Sequence, residues 1–160
     1  MKVLIILDVQ KAFRDTKGQY EKCLKFIREH SHEYFTLATY SSEYTGDVSD
    51  LEFAANRVIY KTGYGIPYLE FAKEYEKLKY IASIFDQTDN PTLDFYIIGN
   101  CTEDSVLSTA FMLSDRNEQF KIFTDLVYTS LSEDIDRAAH MILQSNFSAN
   151  LTTIDKEKNE

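Results

Sequence analysis

The sequence predicts an α/β protein: a three-layer, Rossmann-like α/β/α sandwich around a mostly parallel sheet of five or six strands. Three observations predict it. Short apolar runs alternate with amphipathic helical stretches along the chain, the pattern of a parallel sheet covered on both faces. The first run, residues 2–7 (KVLIIL), is continuously β-branched and leucine-rich, as strands buried on both faces are. The run at 94–98 stops at Gly99, and a polar turn and a new helix follow. A junction of that kind is where open α/β sheets place their chemistry.

The elements follow in order. The first strand ends in Asp8-Val9-Gln10, which leaves Asp8 at its C-terminal end. Residues 18–30 form a helix whose Tyr20, Cys23, Leu24 and Ile27 make one apolar stripe, so Cys23 is a packed core thiol. Residues 34–40 (YFTLATY) are the second strand, 41–50 a polar loop, and 51–56 a weak helical signal. Residues 57–60 are a short third strand with Lys61 directly after it. The turn 62–65 (TGYG) uses glycine for backbone angles other residues avoid, and Pro67 suits a first helical position. The helix from there to about Phe85 places Leu69, Ala72, Tyr75, Leu78, Ala82 and Phe85 on one side. Asn90-Pro91 breaks the chain before the fourth strand, 94–98.

The stretch 100–114 organises the rest. Thr102 is placed to cap the helix that starts near Glu103, and Val106, Leu107, Ala110 and Phe111 face the sheet. Residues 120–125 are a fifth strand, and Ser130-Leu131-Ser132-Glu133 reads as a capping box opening a helix over 132–146. Residues 150–154 are a sixth strand. The organisation is one domain, 1–155, with a frayed charged tail at 156–160.

Length and composition narrow the function classes. A chain of 160 residues buries a substantial core, and no segment approaches the length of a membrane span. A formal net charge of −9 argues against a nucleic-acid partner, because phosphates are met by clustered lysine and arginine. Two cysteines without paired spacing suit a reducing, cytoplasmic setting. Neither they nor the three histidines form a metal-ligand motif, so no metal or other cofactor is expected.

Asp8, Lys61 and Ser105 each sit at or just beyond the C-terminal end of a predicted strand, and in a doubly wound sheet those ends converge on one crevice. An aspartate beside a lysine can accept a proton while the ammonium stabilises negative charge. An aspartate cap and a solvated lysine are the plainer readings of the same residues. Ser105 falls in a helix's first turn, where unpaired N–H groups favour developing negative charge. There its hydroxyl serves as nucleophile, hydrogen-bond donor or cap, and spacing leaves the three open.

These segments resemble the isochorismatase-like family of cysteine hydrolases, which includes nicotinamidases, carbamoylsarcosine amidases and isochorismatases. LIILDVQKAF is similar to the family's opening strand, with Asp8 as catalytic aspartate and Gln10 and Phe13 in place. Tyr60-Lys61-Thr62-Gly63-Tyr64 is similar to the segment bearing the family lysine. GNCTEDSV matches the Gly-x-x-Thr-x-x-Cys-Val turn, and SEDIDRAAHMILQSNF followed by LTT the closing helix and strand. The resemblance implies a cis peptide at Asn100–Cys101. It also implies an oxyanion hole from the N–H groups of Cys101 and Ser105, with Cys101 as a turn residue.

The chain departs from the family in two places. Ser105 stands where the amidases have their cysteine, and an alcohol needs a stronger base than a thiol does. The nicotinamidases' zinc pattern, Asp-x-His with a further histidine, has no counterpart in ATYSSEYTGD. Isochorismatases proper also lack the cysteine and use the aspartate as a general acid. Their anionic substrate wants a basic pocket, and Arg14 and Arg57 are the nearby arginines.

The expected function is a hydrolase acting on a C–N or C–O bond of a small metabolite, with Asp8, Lys61 and Ser105 as the catalytic residues. Phe13, Tyr40 and Tyr64, with Tyr44, are expected to line the pocket. The competing expectation is an inactive relative that binds a ligand or serves in assembly. Eleven phenylalanines and eleven tyrosines supply material for a homo-oligomer interface as well as for a core.

Overall fold

In the computed structural model, which describes residues 1–15, 17–42, 55–63 and 65–157, six strands form one parallel sheet. They are β1 (Lys2–Leu7), β2 (Phe35–Ser41), β3 (Arg57–Lys61), β4 (Asp94–Asn100), β5 (Gln119–Tyr128) and β6 (Leu151–Thr152). The helices are α1 (Gln19–His30), α2 (Tyr68–Asp86), α3 (Leu107–Asp115), α4 (Glu133–Phe147) and the single turn α5 (Ile154–Glu157). The strand order is β3-β2-β1-β4-β5-β6, and every neighbouring pair is parallel.

Alternation along the strands builds two cores. Val3, Ile5 and Leu7 of β1 and Phe95 and Ile97 of β4 point to one face, where α2, α3 and α4 cover them. Leu4, Ile6, Tyr96 and Ile98 point to the other, against Tyr20, Cys23, Leu24, Phe26 and Ile27 of α1. Each fully buried aliphatic side chain here contributes about 1.5–3 kcal/mol. The Cys23 thiol lies in the second core and donates to the Leu126 carbonyl at 3.0 Å. Burial pushes it far above the ordinary thiol range. It is packing material.

Several local expectations shift. The buried stripe of α2 is Phe71, Tyr75, Leu78 and Ala82. Leu69 lies two residues, about 200°, round the helix from Phe71 and is exposed, as is Phe85 in the last turn. Phe111 does not face the sheet; it meets Phe147 of α4 edge-on at 4.9 Å. The cap of α4 is Ser132, whose Oγ accepts from the Ile135 N–H, rather than Ser130. The start of the expected tail is tied down. Glu157 accepts from the Tyr96 hydroxyl at 2.9 Å and from Lys121 at 2.7 Å, so 156–157 close a helical turn. Of the weak helical signal over 51–56, residues 51–54 lie outside the described residues, and 55 and 56 are not helical.

Gly99 shows why the sheet tolerates no side chain at the end of β4. Its φ is +119°, and a Cβ there would stand 2.1 Å from the Leu7 carbonyl oxygen. Gly99→Ala is expected to cost more than about 3 kcal/mol, combining positive-φ strain with a backbone clash. Urea unfolding followed by circular dichroism measures it.

Candidate active site

The sheet reverses its winding between β1 and β4: the chain runs outward through β2 and β3, then returns to start β4 on the other side. Ligands bind outside the strand ends at such a switch point. Asp8 follows β1 immediately, with φ +45°, a left-handed conformation that aspartate adopts more readily than most residues. Its N–H donates to the Thr39 carbonyl at 3.1 Å, and its Oδ1 accepts from Thr39 Oγ1 at 3.0 Å. The carboxylate is therefore held from β2.

Lys61 is the last residue of β3, within the strand rather than after it. β3 lies two strands from β1, about 10 Å away, a gap that the four-carbon lysine stem and the aspartate side chain close together. Lys61 Nζ stands 2.6 Å from Asp8 Oδ2 and donates to Ser105 Oγ at 3.0 Å. Ser105 Oγ in turn donates to Asp8 Oδ2 at 3.1 Å. A hydroxyl with one proton and two lone pairs satisfies both contacts at once. All three side chains are almost fully buried, yet all three line one cleft.

Ser105 owes its place to an irregular turn. Between β4 and α3, residues Thr102–Val106 form a π turn in which the Val106 N–H reaches the Cys101 carbonyl at 3.0 Å. Such turns occur frequently at functional sites. Thr102 is not the cap the sequence suggests. Its Oγ1 is buried and has no hydrogen-bond partner among the described residues. The Asn100–Cys101 peptide is cis. Glu103 Oε1 accepts from Thr129 Oγ1 at 2.8 Å, which ties the turn to the chain just beyond β5.

Burial pushes the Asp8 carboxyl above the ordinary carboxylate range. The charge of Lys61, then hydrogen bonds from Lys61, Thr39 and Ser105, pull it part of the way back. A carboxylate raised in this way is a better proton acceptor than a solvated one. Cys101 behaves differently. Burial, with the charges of Glu103, Asp104 and Asp8, pushes its thiol up to about 12. It stays protonated at neutral pH. Cys101→Ser is expected to keep the turnover of the wild type, and iodoacetamide to label Cys101 more slowly than free cysteine, as read by mass spectrometry.

The cleft has a volume of about 580 Å³ and is also lined by Phe13, Ser41, Thr62, Asn100 and Leu131. Phe13 and Asn100 thus border it. Tyr40 does not: it is fully buried in the core on the α1 face, because its neighbour Thr39 takes the side that meets Asp8. Tyr44 and Tyr64 lie outside the described residues. Neither arginine lines the cleft; Arg14 pairs with Glu21 at 2.7 Å and Arg57 with Glu74 at 3.4 Å.

The sequence reading missed Thr39 and the lining residues Ser130 and Leu131. It placed Gln10 only by resemblance. Gln10 clamps the end of β2, accepting from the Ser41 N–H at 2.8 Å and donating to its carbonyl at 3.4 Å. A strand-end threonine carries no local signal; only the β1–β2 register places it against Asp8. None of the three histidines lines the cleft, so the donor set does not fit an imidazole-ligated zinc, and no step here runs through a metal. Among the described residues, no helix is long and apolar enough to cross a membrane.

No protein-family model and no curated protein matches the chain by sequence. Solved structures do match in fold. The octameric hydrolase of unknown specificity encoded by ycaC in Escherichia coli aligns with a TM-score of 0.72 at 19% identity, over 97% of this chain and 76% of that one. The MAR1 ribonuclease of Caenorhabditis elegans aligns at 0.69 and 15%, over 95% and 76%. The nicotinamidase PncA of Bacillus subtilis aligns at 0.65 and 13%, over 94% and 98%. The chain has the isochorismatase-like α/β fold.

Proposed function

We propose that the protein is a hydrolase that cleaves a C–N or C–O bond of a small metabolite in this cleft. The observation that carries the reading is the closed triangle of Asp8, Lys61 and Ser105, each within hydrogen-bond or ion-pair distance of the other two. Ser105 Oγ attacks the carbonyl carbon as its proton passes to Asp8 Oδ2, the contact it already makes. The Lys61 ammonium stabilises the charge that develops, and the N–H groups of Cys101 and Ser105 receive the oxyanion. Asp8 returns the proton to the leaving nitrogen or oxygen. Water, deprotonated by the same carboxylate, then releases the acyl group and restores Ser105.

Nucleic acid is a poor fit to this cleft despite the ribonuclease neighbour. The charge of −9 and the carboxylates around Asp8 repel phosphates. Self-association belongs to the same reading. Tyr80, Ile84 and Phe85 leave the outer side of α2 apolar, and the ycaC product is an octamer. Light scattering on the purified protein tests that part. Two free thiols suit a cytoplasmic enzyme.

The deciding experiment is turnover by the wild type on a panel of small amides and esters plus isochorismate, with Asp8→Asn beside it. Turnover that vanishes in Asp8→Asn supports the hydrolase, and the substrate names the bond. Silence across the panel favours a relative that binds a ligand in the same cleft without cutting it.

A further inference from the structure

The cleft's charge identifies the kind of molecule it takes. Its described lining holds three carboxylates, Asp8, Glu103 and Asp104, against one ammonium, Lys61, and that ammonium is committed to Asp8 at 2.6 Å. Residues 16, 43–54 and 64 contain no lysine, arginine or histidine. The carboxylates crowd one another. Burial raises the Asp104 carboxyl; Lys61 lowers it, and the charges of Glu103 and Asp8 raise it again.

A second observation is independent of charge. Asn100 is 1% exposed and lines the cleft, and its Oδ1 has no hydrogen-bond partner among the described residues. Glu103 Oε2 is likewise buried with no partner at hydrogen-bond geometry among the described residues, although Thr129 holds the other oxygen and the Cys101 thiol interacts with the same carboxylate. Buried acceptors left open are costly unless something supplies donors. Both open atoms accept, and neither donates.

We infer that this cleft binds a small cationic molecule, an amide or ester bearing an ammonium or guanidinium group. Its cation sits against Glu103 and Asp104, and its N–H groups reach Asn100 Oδ1. A dicarboxylate of the isochorismate kind meets like charge at every turn of this lining and is excluded. The inference rests on the proposed hydrolase only for the word substrate; as a statement about binding it stands without turnover.

The test compares three ligands of one chain length: 4-aminobutanamide, butanamide and succinamate, which are cationic, neutral and anionic. Calorimetric or NMR titration reads their affinities for the wild type, Asp104→Asn and Glu103→Gln. Asp134→Asn, an exposed carboxylate paired with Arg137, is the control. The cationic amide is expected to bind about tenfold more tightly than butanamide at low salt, with succinamate weakest. The gap is expected to narrow at about 0.5 M salt and in either cleft variant, but not in the control. Equal binding of the first two, tighter succinamate, or no binding by any of the three overturns the inference.

Ammonia release is scored separately. Cation preference without release counts against the hydrolase and leaves the binding class standing. Hydrolysis without cation preference does the opposite.

Discussion

Ser105→Cys is expected to raise amide turnover about a hundredfold or more, a gain equivalent to about 2.7 kcal/mol of barrier. A thiol ionises near pH 8.5, far below an alcohol, and its thiolate is intrinsically the stronger nucleophile. The rest of the apparatus is already in place. Lys61 Nζ stands 3.0 Å from the atom to be replaced, and Asp8 Oδ2 stands 3.1 Å from it on the other side. Cys101 lacks that help and is held protonated by burial first and by its acidic neighbours second. A thiol at 105 would face the ammonium instead. The measurement is kcat/KM on the best amide of the panel. An increase shows a catalytic frame waiting for a better nucleophile. A folded Ser105→Cys protein that remains inert on every substrate removes the acyl-transfer reading and leaves the binding one.

Asp8→Asn is expected to lower turnover by about 10²–10⁴-fold without lowering stability at neutral pH, because burial already disfavours the ionised carboxyl in the folded protein. Lys61→Met is the costly half of the pair: it leaves the buried Asp8 carboxylate without its counter-charge and is expected to cost about 3–5 kcal/mol. Asp8→Asn with Lys61→Met is expected to recover most of that stability and none of the activity. Denaturant unfolding and turnover on the same preparations separate the two effects. If Lys61→Met is as stable as the wild type, the pair is not the buried ion pair described here.

The pH dependence follows from the raised Asp8 carboxyl. A carboxyl whose folded value lies above its unfolded one favours folding while protonated. That contribution is complete below about pH 3.9 and is lost as the pH rises through the folded value. Activity runs the other way, since the base must be ionised. The acid limb of kcat/KM is expected above the ordinary carboxylate range and is expected to be absent from any residual activity of Asp8→Asn. A limb at or below about pH 3.9 means that Asp8 is not the base.

Much of the architecture was legible because its signals are local. KVLIIL reads as a buried parallel strand from composition alone, and Gly99 followed by NCTEDS reads as a strand end and a helix start. Tyr40 shows where legibility stopped. In a strand, the choice of face depends on parity, and a one-residue difference moves a side chain from cleft to core. Composition does not tell YFTLATY which parity it adopts. Leu69 and Phe111 fall on apparent buried faces in the sequence for a similar reason, since a helical stripe read without its partner surface drifts by a residue or two.

By itself, the sequence determined that this chain makes an α/β sheet, that Asp8 and Lys61 stand at strand ends and that Ser105 lies in the turn that follows one. Periodicity and the residues that break it are properties of a few neighbours along the chain. Only the tertiary structure decided that β3 lies two strands from β1, so that a lysine is long enough to reach the aspartate. It also decided that Thr39 holds Asp8 and that, among the described lining residues, three carboxylates share one cleft with a single ammonium. Those facts depend on strand order and register, which arise from contacts between residues far apart in the chain.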